Sequence, residues 1–81
     1  MTRDELTKAI GAHIRARRKA RKETLAVVSE RAPLTLGYLS TVERGGALAS
    51  VDAIHRVVRA LDWSLSELFA AIEAANPEGE K

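Results

Sequence analysis

Eighty-one residues make one domain with a small core that must be filled efficiently. The lack of cysteine excludes disulfides and thiolate metal sites, and no secretory segment or run of about 18 apolar residues is present, so a cytoplasmic chain away from membranes is expected. The net charge of +2 is unevenly spread: residues 1–31 carry nine Lys/Arg against four Asp/Glu, and residues 32–81 carry four against seven, which suits one face to a polyanion and holds another away from it.

Thr2, with Glu5 three residues later, predicts a capping box that opens a first helix running to about Arg21. Leu6, Ala9, Ile10, His13 and Ile14 lie along one face of it, and from Arg15 the run R-A-R-R-K-A-R-K places cations at the negative end of the helix dipole. Thr24 caps a second helix with Leu25, Val28, Val27 and Ala32 as candidates for its buried side; Pro33 ends it by about Arg31, because a proline drives the residue before it into extended conformations. Thr35 caps a third, short helix in which Leu36, Leu39 and Val42 fall three apart, leaving Thr35, Gly37, Tyr38, Ser40, Thr41 and Arg44 on the outer side. A helix this short needs bracing by neighbours. Gly45 and Gly46 then begin a loop, Ser50 caps a fourth helix with a stripe of Val51, Ile54, Val57, Val58 and Leu61, and Ser64 with Glu67 predicts a second capping box ahead of Leu65, Leu68, Phe69 and Ile72. Residues 76–81 contain Pro77 and Gly79 among charges and are expected to be a disordered tail, leaving 1–75 as the domain. No strand pattern, internal repeat or low-complexity segment emerges, so the expected class is all-α with five helices.

The stretch Leu39-Ser40, Val42, Glu43-Arg44-Gly45 resembles the end of the recognition helix in the Cro and phage-repressor-like (XRE-type) helix-turn-helix family. Three more features at matching spacing support the resemblance: Ile14 to Arg18 (Ile-Arg-X-X-Arg), the aliphatic helix from Val51 to Leu61, and Ser64 to Phe69 (Ser-Leu-X-Glu-Leu-Phe). Together they span about residues 6 to 70. The resemblance implies a five-helix lambda-repressor-like DNA-binding domain with its helix-turn-helix at about 24–43. Four departures stand out. Family members usually have glycine at the turn occupied by Pro33, where a positive φ is needed and a proline ring holds φ near −65°, so a turn of different shape is expected. Arg17 stands where the family is usually apolar, Leu25 where it tends to have a bracing glutamine, and no Arg, Asn or Gln occurs among the groove-facing positions.

Those positions, by the resemblance, are Thr35, Leu36, Gly37, Ser40 and Thr41 for base readout, with Lys22, Thr24, Tyr38, Arg44 and Gly46 on phosphates. Without Arg, Asn or Gln the bidentate contacts to guanine or adenine are missing; Leu36 and the threonine methyls can pack on thymine methyls, while the Ser40 and Thr41 hydroxyls suit donor or acceptor alike. Affinity is then expected to come mainly from the backbone of the duplex. The resemblance also pairs Arg18 with Glu43 inside the motif; the alternative is that both are solvated surface charges. Trp63, Leu65, Leu68, Phe69 and Ile72 exceed what one small core needs and suggest a homodimer interface, with Ile72 expected to be the exposed one; the alternative is that all five are internal.

No catalytic group is expected. His13 and His55 lack neighbouring ligands at metal spacing, and Gly45-Gly46 is too short to cradle a phosphate, so neither metal, cofactor nor small-molecule ligand is anticipated. The resulting expectation is a dimeric, sequence-specific regulator of transcription, a repressor or autoregulator on a palindromic operator in double-stranded DNA. The rival from another class is an antitoxin or antiactivator that keeps the fold and grips a protein partner; sequence-blind coating of nucleic acid through the arginine run ranks last.

Overall fold

A computed structural model describes residues 1–76, so the expected tail lies outside the described residues except for Asn76. Five helices follow in order: α1 (Arg3–Ala20), α2 (Leu25–Arg31), α3 (Leu36–Glu43), α4 (Val51–Ala60) and α5 (Leu65–Ala75). No strand occurs among the described residues.

Each helix begins where its cap residue dictates. Thr2, Thr24, Thr35, Ser50 and Ser64 all have extended backbone, and each side-chain oxygen accepts the amide three residues on, from Glu5, Val27, Tyr38, Ala53 and Glu67. At α1 the box is reciprocal: the Thr2 amide donates to Glu5 Oε1 at 2.8 Å, and these bonds hold the Glu5 carboxyl below its ordinary pKa. The box expected at Ser64 forms only in its forward half, Glu67 N to Ser64 Oγ.

The first four helices end alike. Lys22, Pro33, Gly45 and Asp62 each have positive φ, and the amide after each donates back to the carbonyl of the residue four positions before it: Glu23 to Arg18, Leu34 to Ser29, Gly46 to Thr41 and Trp63 to Val58. Pro33 therefore corrects the expectation of a differently shaped turn. Its φ is +25°, far from the range its ring favours, and the Leu34–Ser29 bond of 3.1 Å closes the same motif. At Lys22, Gly45 and Asp62 the left-handed residue's own amide is also bound, to Lys19, Val42 and Arg59; proline has none to give. Ala32 before it is buried in the core, and Leu34 after it packs against the core.

The core is drawn from every helix. Ile14, Val28, Leu39, Val58, Leu61 and Leu68 are fully buried, and Ile10, Val42, Ile54, Val57 and Ile72 nearly so. Three residues assigned to inner stripes are instead exposed: Val27, Leu36 and Val51, the last at 70%. Leu36 and Val51 are the first residues of their helices, and side chains there lean back past the helix end and beyond the core. Leu68 and Ile72 correct the reading of α5 in the other direction: they are 0% and 3% exposed, because α5 packs against both α1 and α4.

Arg17 explains its own departure from an apolar position. Its guanidinium donates to the carbonyls of Leu61 and Asp62 at 3.1 and 2.9 Å and sits 5.4 Å from the Trp63 ring centroid, so a cation closes the end of α4 where an aliphatic group would only pack.

Candidate nucleic-acid interface

The posture of α3 is set from beneath. Leu39, Val42 and Glu43 are its buried residues, which leaves 36, 37, 40, 41 and 44 on one outer face by helical spacing. Two glycines let its C-terminal turn lie directly on α1. A Cβ at Gly11 would overlap the Val42 carbonyl oxygen and lie 2.8 Å from that of Glu43, and one at Gly45 would meet Lys8. Farther along α1, Arg18 reaches the same turn: Nε donates to Glu43 Oε2 at 2.8 Å, a second nitrogen to Oε1 at 2.9 Å, and the third to the Glu23 carbonyl at 2.8 Å. The Arg18 and Glu43 side chains are 11% and 4% exposed, so this is a buried bidentate pair and not a pair of solvated charges. Hydrogen bonding to Glu43 raises the Arg18 pKa above its ordinary value despite burial, so the guanidinium stays charged.

The outer face is less polar than its composition suggests. The Thr35 oxygen accepts from Tyr38 N, the Thr41 hydroxyl donates to the Gly37 carbonyl at 2.9 Å, and Arg44 lies along the helix with its guanidinium donating to Ser40 Oγ and toward Thr41 Oγ1. The Thr41 methyl also turns toward Gly46, near enough to press on any Cβ placed there. The hydroxyls expected to read bases thus already hold partners within the helix. Leu36, 50% exposed, is the large side chain that projects, and beside it nothing lies within 4 Å of a Cβ built on Gly37.

Cations flank this face. Lys22 is exposed in the α1–α2 turn, Thr24 is exposed at the start of α2, and Gly46 is exposed beyond α3; Tyr38 is half-buried against the core. Arg15, read in the sequence only as the start of the cationic run, lines with Arg44 a recess of about 270 Å³ whose floor includes Arg18, Leu25, Ser40 and Glu43. Leu25 lines this recess and packs against the core, so the polar contact of a glutamine is absent there. Other cations of the basic first half are engaged elsewhere: Arg17 caps α4, and Arg21 and Arg31 bind Glu23 at 3.1 and 2.6 Å, lowering its pKa, with Arg21 the leading cause. A larger groove of about 570 Å³ is lined by Arg21, Arg31, His55, Arg56 and Arg59, where Glu23 and Asp52 pair with three of the arginines and Asp62 lies in the wall.

Sequence reasoning missed Gly11 and Arg17. A signal for Gly11 exists: a glycine inside a helix, next to the buried Ile10, weakens that helix relative to alanine and so implies a close approach. For Arg17 no signal in the residue itself points to the carbonyls it binds. Of the residues assigned to a dimer interface, Leu68 and Ile72 belong to the core, Trp63 and Leu65 are half-buried, and Phe69 is 38% exposed.

Comparison with known proteins gives the same architecture. No curated protein sequence matches. Among solved structures, the crystal structure of the clp gene regulator ClgR from Corynebacterium glutamicum is 30% identical, covers 88% of this chain and 92% of its own, and superposes with a TM-score of 0.81. A second structure of the same regulator is 29% identical over 93% of this chain and 84% of its own, with a TM-score of 0.74. Residues 9–70 match the family described as a helix-turn-helix domain, and with that match over most of its length the chain belongs to the helix-turn-helix domain family.

Proposed function

We propose that this DNA-binding transcription regulator acts as a homodimer on a palindromic operator and represses or autoregulates from it. The observation that carries the reading is the outer face of α3, held in place by the buried Arg18–Glu43 pair, with Arg15 and Arg44 lining the recess beside it. In this docking geometry the N-terminal residues of the recognition helix enter the major groove, which assigns Thr35, Leu36, Gly37, Ser40 and Thr41 to base edges. Lys22, Thr24, Tyr38, Arg44 and Gly46 then address phosphates on either side, Thr24 at a helix N-terminus that favours anions. The dimer contact centres on Phe69, with Trp63 and Leu65 beside it.

Selection from a pool of random duplexes, followed by sedimentation of the complex, tests the reading. The expected result is two chains per duplex on an inverted repeat whose half-sites lie about one helical turn apart, with Phe69→Glu giving a monomer that binds far more weakly. One chain per duplex on an asymmetric site contradicts the dimer.

The exposure of Val27 on α2 and Leu36 on α3, with no Arg, Asn or Gln among Thr35, Leu36, Gly37, Ser40 and Thr41, favours a second reading in which that surface grips a protein, as in an antitoxin or antiactivator. Salt-insensitive capture of a single partner, with no DNA selected, favours it over the first.

A further inference from the structure

Resting on the DNA-binding reading above, we infer that Leu36 is the principal base-discriminating residue and that its ligand is the C5 methyl group of thymine in the major groove.

Three observations converge on it. Thr41 donates its hydroxyl hydrogen to the Gly37 carbonyl and its methyl faces Gly46, which leaves it only an acceptor oxygen to offer a base. Ser40 and Thr35 already accept from Arg44 and Tyr38, and the single proton each retains suits acceptors on several bases and separates none of them. Leu36 remains, half-exposed on the first turn of α3, and an apolar side chain distinguishes a pyrimidine bearing a C5 methyl from one bearing hydrogen. Gly37 beside it leaves open space where any side chain would hold the edge of a base away. The occupant follows from the surroundings. Arg15 and Arg44 line a recess against Ser40 and Glu43 of the same helix, so cations lie beside α3, which suits an apolar group carried by a polyanion and not a bare hydrophobic partner.

The test replaces every thymine of the selected site, one at a time on each strand, by deoxyuridine, which removes the methyl and leaves all base-pair hydrogen bonds. Fluorescence anisotropy then reads the affinity of the full chain and of Leu36→Ala, whose fold is checked by circular dichroism. The expected result is a loss of about fourfold at one or more thymines per half-site, the value of one buried methyl, which disappears in Leu36→Ala. Uracil tolerated within twofold everywhere overturns the inference, as does a uracil penalty equally large in Leu36→Ala. A response to cytosine C5 methylation without a response to uracil also overturns it, by assigning the pocket to a different methyl. In those cases the regulator reading stands; a selection that enriches no sequence removes both.

Discussion

Glu43 is 7% exposed with both carboxylate oxygens bound to Arg18, so Glu43→Gln turns an acceptor into a donor aimed at a buried guanidinium. Breaking one side of such a pair costs about 3–5 kcal/mol, comparable with the whole stability of a domain this small. Urea melts should show Glu43→Gln largely unfolded, whereas replacing both partners by leucine or methionine should recover much of the loss; an unchanged midpoint for Glu43→Gln contradicts the role. Gly11 and Gly37 form an opposed pair of glycines. Gly11→Ala drives a methyl into the backbone of α3 and should destabilise by about 2–3 kcal/mol, while Gly37→Ala meets nothing and should stabilise by about 0.5–1 kcal/mol through helix propensity. Similar midpoints for the two variants exclude the α1–α3 approach described above. At this scale the resemblance identified Arg18 with Glu43 through the Glu-Arg-Gly signature. Gly11 and Arg17 stayed hidden because their roles depend on atoms of elements distant in the chain.

The helices themselves were legible from their starts, since a Ser or Thr oxygen bonds an amide three residues on and that chemistry is local. Their ends were less so. Gly45 announces a left-handed residue, but Lys22 and Asp62 adopt one without any compositional sign, and Pro33 adopts one against its own ring. Pro33→Gly should restore the amide that the other three turns bond and put at this position the residue that adopts positive φ most readily, against about 0.4–1 kcal/mol of added freedom in the unfolded chain. A thermal melt should rise by several degrees, and a fall contradicts the strained turn. The buried stripe of α4 was read one turn too long at Val51, because periodicity identifies a face and not the point at which its neighbour stops. The α1–α2 and α2–α3 turns are further joined by Glu23, bound by Arg21 and Arg31. Its pKa is lowered on folding, so the unfolded chain binds more protons in acid: this contribution is present above the ordinary carboxylate range and is lost as pH falls through the folded value. Melting temperature between about pH 6 and 3 should fall less steeply for Glu23→Gln than for the parent chain, and parallel profiles contradict the assignment.

Across the whole molecule, the charge asymmetry counted the cations of the first half without showing which of them are free to meet a partner. Arg17, Arg18, Arg21 and Arg31 are held by carbonyls or carboxylates of the same chain, and counting charges cannot separate these from the cations left to face solvent. The surplus of apolar residues in α5 was read as an interface for the same reason: composition shows how many apolar side chains there are, and only the packing of α1 and α4 shows that Leu68 and Ile72 are consumed within one chain. What remains outside is a shallow recess beside a short helix, with Arg15 and Arg44 at its rim and Leu36 projecting from the helix's first turn. The most direct test of this arrangement as a sequence-reading surface is an anisotropy titration of the full chain into its selected duplex and into random duplex, at about 50 and 200 mM salt. A sequence-reading surface should give a preference of about a thousandfold or more for the selected site, together with weaker binding to both duplexes at the higher salt. Equal affinity for the two duplexes at both salt concentrations would contradict it.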